Sequence, residues 1–426
     1  MSGLLLAPRF LPLFVTQFLG AFNDNVFKNA LVVLIAFGAL RSGTGMSPAL
    51  MVNLCAALFI LPFLLFSASS GRLADHADKA AIARATKLLE IAVMALAGVG
   101  FLLHHLPLLL LALFLMGLQS TLFGPVKYAL LPQHLHTGEL MRGNSWIEAA
   151  TFVAILLGTV GGGLLAAFGS EAVLGFACLL IALAGYLSSR AIPPAPPLHA
   201  PVRISFARPL RDTLDVLRIA RADAQVWRTL LAISWFWFFG AVFLTLLPIY
   251  TRTSLGGSET VATLLLALFA FGIGAGAFVS ARLCRGRFRA GVVLAGALGM
   301  SVFAFDLWLA TPAAGPSAQI HDAASFVAAP GSWRILLDCV LVSASGGLFS
   351  LPLYTHLQQR APLAQLGRVI AAVNVMNALY MVASAGFSAA LLAAGADVPA
   401  VWLATALLNL IVVGALAWRQ HSAGEG

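Results

Sequence analysis

The sequence predicts an all-α membrane protein with twelve transmembrane helices. Of its 426 residues, 60% are hydrophobic and only 10% are charged, and the apolar residues recur in long stretches. Soluble domains carry about 25% charged residues. A soluble chain of this size has no interior large enough for so much apolar surface, so the excess must face lipid.

Twelve apolar segments are long enough to cross a bilayer, which requires about 20 mainly apolar residues. They cover roughly residues 11–39, 48–70, 84–104, 106–130, 144–168, 171–190, 226–251, 260–282, 289–311, 333–357, 367–394 and 398–418. The first segment lacks the short apolar region and small-residue cleavage site of a signal peptide, so we expect it to be a spanning helix.

The distribution of lysine and arginine predicts that the protein is multi-pass with both termini in the cytoplasm. About 20 of the 25 basic residues fall in the segments that an inner N-terminus places inside, whereas the outer side has Arg41, Arg252 and Arg334. This positive-inside bias accounts for the net charge of +9, so we expect no nucleic-acid partner. The basic residues assigned to the inner loop between spans 2 and 3 are Arg72, Lys79, Arg84 and Lys87.

A proline-rich linker divides the spans six and six. We predict an N-terminal six-helix half over 1–190, a cytoplasmic linker over 191–225 and a C-terminal six-helix half over 226–426. The linker opens AIPPAPPLHAP, whose prolines end the sixth span. Leu210, Leu214 and Leu217 then recur at helical spacing with arginines off that stripe, which predicts a short amphipathic helix on the inner membrane surface.

The two halves also carry a weak internal repeat. Pro125 and Tyr128 precede a basic loop residue in the first half, and Pro352 and Tyr354 do so in the second. Repeated halves are common in transporters, where the substrate site lies between them near the bilayer midplane.

The first span is unusually polar between Gln17 and Asn29. A charge at the bilayer centre costs roughly 2.5–3.5 kcal/mol, so such residues need a reason. Asp24 and Lys28 share a helix face and can pair, and a self-neutralising pair that only orients the helix is one interpretation. We favour the other, in which Asp24, Asn25 and Lys28 line a translocation cavity.

Polar residues also interrupt the fourth and fifth spans. Gln119 and Lys127 flank Pro125, which we expect to break the fourth helix. Lys127 lies near the inner end of the span, where it either snorkels to the surface or meets a phosphate or carboxylate. Asn144 and Glu148 share one face of the fifth span, and Glu148 is a candidate partner of Lys127 or proton carrier.

In the second half, the candidate site residues lie on the eleventh span. Asn374, Asn377 and Tyr380 follow one another at intervals of three residues and therefore share a helix face. We assign these three side chains to the same substrate-binding site as those of spans 1, 4 and 5.

The sequence carries no signature of an enzyme or a metal site. The G-x-S-x-G, H-E-x-x-H and Walker patterns are missing, and no histidine is followed five residues later by aspartate, as an acyltransferase H-x4-D requires. The four cysteines lie in or beside apolar stretches without a C-x-x-C pair, so we interpret them as packing residues. We predict a protein that is not an enzyme, with no catalytic residue, metal or cofactor.

The segment FVTQFLGAFNDNVFKNALVV of span 1 resembles the bacterial lysophospholipid transporters of the major facilitator superfamily. Three further segments are similar to motifs of that family or of its acyltransferase-fused relatives: FGPVKY from Phe123, the region around Asn144 and Glu148, and ISWFWFFGAVFLT over 233–245. SSGRLADHADKA, which contains Gly71, resembles the G-x-L-x-D loop of the superfamily.

The resemblance implies a major facilitator fold of two pseudo-symmetric six-helix halves. It implies an inner gate controlled by charge contacts of the loop after span 2; the alternative is a solvated turn. The residues of this gating loop are Gly71, Arg72, Asp75 and Lys79.

The implied function is movement of lysophosphatidylethanolamine and related lysolipids from the outer to the inner leaflet of the bacterial inner membrane, for re-acylation by a cytoplasmic acyltransferase. Lys127 would meet the phosphate, and Asp24 and Glu148 would meet the ammonium or hold the basic residues apart. The expected partners are the lysolipid, membrane lipids and that acyltransferase, and we expect a monomer. Since the chain stops near the end of span 12, we expect no fused acylating domain, and since the interior of span 7 (229–251) has no basic residue, we expect no head-group contact from it.

Two rival functions remain open on the sequence alone. A proton-coupled exporter of drugs or metabolites with the same fold would use intramembrane carboxylates equally well. A non-transporting membrane scaffold for an acyltransferase would tolerate neutralisation of its buried charges.

Overall fold

The computed structural model describes residues 2–36, 48–198, 208–312 and 322–424. The end of predicted span 1, Arg41, Arg203 and part of the linker lie outside these residues. The helices are α1 (Ser2–Leu5), α2 (Leu11–Ala36), α3 (Pro48–His76), α4 (Lys79–Leu102), α5 (Leu106–His134), α6 (Leu140–Phe168), α7 (Glu171–Arg190), α8 (Pro209–Ala222), α9 (Ala224–Thr253), α10 (Glu259–Cys284), α11 (Ala290–Ala310), α12 (Ala323–Ala328), α13 (Ser332–Arg360), α14 (Leu366–Ala393) and α15 (Val398–Gly424).

Eleven of the helices in the described part of the chain are long and apolar enough to span a membrane. α15 adds a shorter apolar stretch over Val398–Gly414. These helices confirm the predicted all-α, multi-pass membrane fold. All four cysteines are buried and free, as predicted for packing residues.

The helices form two compact units. Unit 1 comprises Met1–Gly143, Ala154–Arg228 and Leu357–Ala378, and unit 2 comprises Asn144–Val153, Thr229–His356 and Leu379–Gly426. α6, α9, α13 and α14 therefore contribute residues to both units. The domain boundaries predicted above, 1–190, 191–225 and 226–426, stay a prediction.

In unit 1, α4 packs between α5 and α7, α3 packs on α5, and α2 on α7. Apolar side chains fill these contacts, among them Phe27 and Phe101, whose rings meet edge to face with centroids 5.8 Å apart. Such close-packed cores hold neighbouring helices at fixed positions. The polar residues on the same helices are therefore held at fixed positions too.

In unit 2, aromatic rings hold α9 against its neighbours. Phe243 stacks on Phe239 and on Trp402 of α15, each with centroids 4.8 Å apart. Tyr250 lies 4.5 Å from the Trp402 ring centroid. The aromatic segment over 235–240 thus belongs to a packed aromatic core on α9, whose pairs add to the stability from area burial.

The prediction that Pro125 breaks the fourth span is wrong, because α5 continues through it. A helical proline has no N–H to donate to the carbonyl four residues earlier, here that of Thr121. The buried hydroxyl of Ser70 lies 3.0 Å from the carbonyl oxygens of both Thr121 and Leu122. α3 therefore supplies the missing hydrogen bond and lets α5 remain a helix in an apolar environment.

Unit 2 repeats this arrangement. Pro352 lies inside α13, and the carbonyl it leaves without an N–H is that of Leu348. Ser280 of α10 donates to that carbonyl at 3.4 Å. Pro125 and Pro352 are matched in the sequence repeat, so the two units solve the same backbone problem with a serine from a neighbouring helix.

Candidate functional site

A buried ion pair lies inside unit 1. Lys87 Nζ is 2.6 Å from Glu90 Oε2, and the two side chains are 0% and 2% exposed. Asn23 Nδ2 donates to Glu90 Oε1 at 2.8 Å, and Gln119 Nε2 donates to Oε2 at 3.2 Å. Three donors on one carboxylate offset the cost of taking both charges out of water.

The placement of Lys87 corrects its assignment to a basic inner loop. It lies within α4, and its ammonium sits 5.3 Å from the ring centroid of Phe123. A Cβ at Gly20 of α2 would overlap Lys87 Nζ, so glycine at that position gives the ammonium its space. The sequence did carry one signal, a lysine and a glutamate three residues apart in an apolar segment.

Asp24 connects to this ion pair through α5. Ser120 Oγ donates to Asp24 Oδ2 and lies 3.2 Å from Gln119 Oε1, while the amide of Gln119 is held by Glu90. Asp24 Oδ1 is buried and has no hydrogen-bond partner among the described residues. Asp24 therefore keeps one acceptor for a ligand.

The predicted pair of Asp24 and Lys28 does not form. Lys28 Nζ instead donates to Asn25 Oδ1 at 3.1 Å and lies 5.3 Å from the ring centroid of Phe59. Asn25 Nδ2 in turn donates to the carbonyl of Ala21. No direct ion pair therefore supports the interpretation of the span-1 charges as a self-neutralising pair, although the two opposite charges still attract each other.

One face of α5 carries the predicted site residue Lys127 and lies beside two others, Asp24 and Asn374. Ser120, Gly124 and Lys127 share this face, because they are spaced four and three residues apart. A Cβ at Gly124 would lie 2.7 Å from Asn374 Nδ2, a buried amide nitrogen with no partner among the described residues. The face thus carries Asp24 beside Ser120, Asn374 beside Gly124, and then Lys127.

Lys127 is the cation of this face. Its ammonium lies 4.9 Å from the ring centroid of Tyr128 and makes no ion pair or hydrogen bond with any residue in the described ranges. Its pairing with a protein carboxylate, one of the possibilities raised by the sequence, is therefore not observed. A half-buried ammonium without a direct ion-pair partner is suited to an anionic ligand group.

Asn144 and Glu148 lie in unit 2 and contact α13. Asn144 Nδ2 donates to Thr355 Oγ1 at 3.2 Å, and Ser350 Oγ donates to Glu148 Oε1. The shared face predicted for these two residues on α6 is thus turned toward one helix. Glu148, like Asp24, is a carboxylate that accepts a hydrogen bond from a serine.

The remaining predicted residues lie on α14. Asn377 is buried in unit 1, and Tyr380 lies in unit 2 with its ring edge-on to Phe238 at a centroid distance of 6.5 Å. The helix supplies these side chains to different units. Their assignment to one binding site stays a prediction.

The motif predicted to form the gating loop lies in the last turns of α3, which extends to His76. Asp75 is fully buried there and accepts from Arg368 Nε at 2.8 Å and from the N–H of Gly367 at 2.7 Å. A Cβ at Gly71 would lie 2.6 Å from the carbonyl oxygen of Gly367. The solvated-turn alternative is wrong, since α3 packs directly on the start of α14. The dipole of α14 also stabilises a carboxylate at this N-terminal end.

Arg72 and Lys79 contact the linker region. Arg72 Nη2 lies 2.9 Å from Asp212 Oδ1 and 3.4 Å from Asp215 Oδ2 of α8. Lys79 is buried at the start of α4, and its backbone N–H donates to the backbone carbonyl of Ala195 at 3.0 Å. The Arg72 side chain therefore holds α3 to α8, and the backbone of Lys79 holds the start of α4 to the linker.

Comparisons with known proteins agree with this architecture. Residues 13–385 match the Major Facilitator Superfamily. The lysophospholipid transporter LplT of an Enterobacter species is 26% identical over 95% of this chain and 94% of its own length. The protein of the same name from Cronobacter sakazakii is 27% identical over 98% of both chains.

Solved structures share the fold. The transporter FucP in its outward conformation superposes with a TM-score of 0.68 at 15% identity, over 96% of this chain and 98% of its own. The human organic anion transporter MFSD10 gives a TM-score of 0.69 at 15% identity, over 96% of this chain and 100% of its own. With twelve apolar helices predicted, eleven found in the described ranges, and a match over most of the sequence, the chain belongs to the major facilitator superfamily.

Proposed function

We propose that this protein transports lysophospholipids from the outer to the inner leaflet of the bacterial inner membrane by alternating access. The observation that carries the proposal is the face of α5, where the Lys127 ammonium has no direct ion pair and Asp24 Oδ1 has no hydrogen-bond partner among the described residues. A lysophosphatidylethanolamine head group offers the complementary phosphate and ammonium. The names of the two bacterial relatives support the same cargo.

Each charge on this face has a role in the proposal. Lys127 donates to the phosphate in a charge-assisted hydrogen bond. Asp24 accepts from the ammonium through Oδ1, while Ser120 holds its other oxygen. Asn374 Nδ2, beside Gly124 on the same face, adds a neutral donor.

The proposal includes the surroundings of the transporter. Both termini lie in the cytoplasm, and the protein acts as a monomer that delivers lysolipid to a cytoplasmic acyltransferase. A reporter fused after Arg221 is expected to be cytoplasmic, because the linker is rich in arginine. An external reporter would overturn this topology.

The direct test is lysolipid movement in proteoliposomes. Labelled lysophosphatidylethanolamine is placed in one leaflet, and its transfer is followed with and without a proton gradient. Asp24→Asn and Lys127→Ala are each expected to slow transfer at least about tenfold, the equivalent of roughly 1.4 kcal/mol. Glu259→Gln and Arg252→Ala, at exposed positions, are the matched controls and should transfer at the wild-type rate.

Transfer by the wild-type protein no faster than in protein-free vesicles would refute the lysolipid function. Proton-driven efflux of an unrelated drug in the same vesicles would then favour the exporter. Wild-type rates from both Asp24→Asn and Lys127→Ala would instead remove these two residues from the site.

A further inference from the structure

The linker helix α8 presents three different faces. Asp212, Val216 and Ala220 are buried, and α8 packs with them on α3. Leu210 and Leu214 lie on another face, where they are 76% and 55% exposed. A helix fastened to protein on one side therefore exposes a leucine stripe on another.

The third face of α8 and its ends are basic. Arg208, Arg211, Arg218 and Arg221 are all exposed. Arg218 forms an ion pair with Asp215 at 3.3 Å, whereas Arg211 makes no ion pair within the described residues. Arg221 stacks its guanidinium on the ring of Trp227, 4.5 Å from the centroid. Arginines beside exposed leucines are the pattern of a helix that lies in a membrane interface.

The position of α8 in the chain places it at that interface. Only Asp223 separates α8 from α9, one of the apolar helices long enough to span the membrane. Trp227 lies in the first turn of α9, and tryptophan is enriched at the level of lipid head groups. On the protein side, Arg72 and Ser69 of α3 hold the buried carboxylate of Asp212.

We propose that α8 is a docking helix for an anionic bilayer surface. Leu210 and Leu214 insert at the boundary of the acyl chains, and Arg211 and Arg218 contact lipid phosphates. The charge of the helix selects anionic over zwitterionic lipid, because each arginine near the surface is attracted by the negative leaflet. The contact of Asp212 with Arg72 fastens this lipid-binding helix to α3. Arg72 lies three residues before Asp75, the partner of Arg368. The inference does not depend on the identity of the cargo.

The test measures the depth of α8 in the full-length protein. The four native cysteines are buried, so a fluorophore can be attached selectively at Leu214→Cys. The protein is reconstituted in phosphatidylcholine vesicles, with or without phosphatidylglycerol, in which the acyl chains carry bromine as a quencher. Gly138→Cys, exposed and without contacts on the loop after α5, is the matched control position.

We expect quenching at position 214 but not at 138, and stronger quenching in the anionic vesicles. The double variant R211Q/R218Q should reduce quenching in anionic vesicles by about twofold or more, and added salt should do the same by screening. A fluorophore at 214 that stays unquenched in every vesicle would overturn the proposal and leave the face to a soluble partner. Equal quenching in both lipids, unchanged in R211Q/R218Q, would refute recognition of anionic lipid.

Discussion

Replacing Glu90 with glutamine leaves the ammonium of Lys87 buried without its counter-charge. Glu90 receives donors from Lys87, Asn23 and Gln119 at 2.6, 2.8 and 3.2 Å. A glutamine has a single acceptor oxygen, and its NH₂ must face one of these donors. Removing one partner of a buried ion pair costs about 3–5 kcal/mol, and we expect Glu90→Gln to lower the free energy of unfolding by that amount.

The lysine provides the matched half of the experiment. Lys87→Met removes the charge and keeps an unbranched side chain, and Glu90 retains two amide donors. We expect a loss of about 3 kcal/mol in the free energy of unfolding. The double variant K87M/E90Q removes both charges, so its loss should be smaller than the sum of the single losses by about 2 kcal/mol.

The assay is reversible unfolding of the purified protein from detergent micelles by a denaturing surfactant, followed by tryptophan fluorescence. Lys28→Met is the control, because Lys28 makes no direct ion pair within the described residues and contacts Asn25 and a ring; its loss should be about 1 kcal/mol or less. Additivity of the two single variants within about 0.5 kcal/mol would show that Lys87 and Glu90 do not interact in the folded protein. That result would refute the buried network.

The serine hydrogen bonds to backbone carbonyls and the close approach of helices at Gly71 predict two further effects, measured in the same unfolding experiment. Ser70→Ala leaves the carbonyl of Thr121 buried without a donor and should cost about 1–3 kcal/mol, whereas Ser280→Ala, which removes a longer bond, should cost less; equal stability of Ser70→Ala and wild type would contradict the role of the serine. Gly71→Ala places a methyl group against the carbonyl of Gly367 and should cost about 1–3 kcal/mol; an unchanged free energy of unfolding would show that α3 and α14 do not approach this closely.

Composition alone was sufficient for the fold class, because lipid imposes a strong constraint on the sequence. Every backbone polar group inside a bilayer needs an internal partner, so long apolar segments must be helices. The limits of the helices were less accurate. α3 and α5 extend past the apolar segments, since α3 continues through Gly71 and Asp75 to His76 and α5 continues past residue 130 to His134. A hydropathy window identifies the apolar part of a helix that faces lipid, whereas backbone hydrogen bonds determine the residue at which the helix ends.

The candidate site was only partly predictable. Asp24 and Lys127 were identified because a charge in an apolar span is costly enough to require a reason. Lys87 was misassigned, and Glu90 was not identified at all. Their three-residue spacing shows only that they share a helix face. That both side chains point inward depends on the space left by Gly20 of α2 and on donors from Asn23 and Gln119.

The sequence by itself determined that this protein is an all-α, multi-pass membrane protein, and its span-1 motif indicated the family that the comparisons confirm. Only the tertiary structure decided which polar residues meet. It placed Asp24 beside Ser120, left Lys127 without a direct ion-pair partner among the described residues, and paired Lys87 with Glu90. The physical reason is that lipid acts on each segment separately, whereas a buried ion pair requires that side chains from several helices fit at one point.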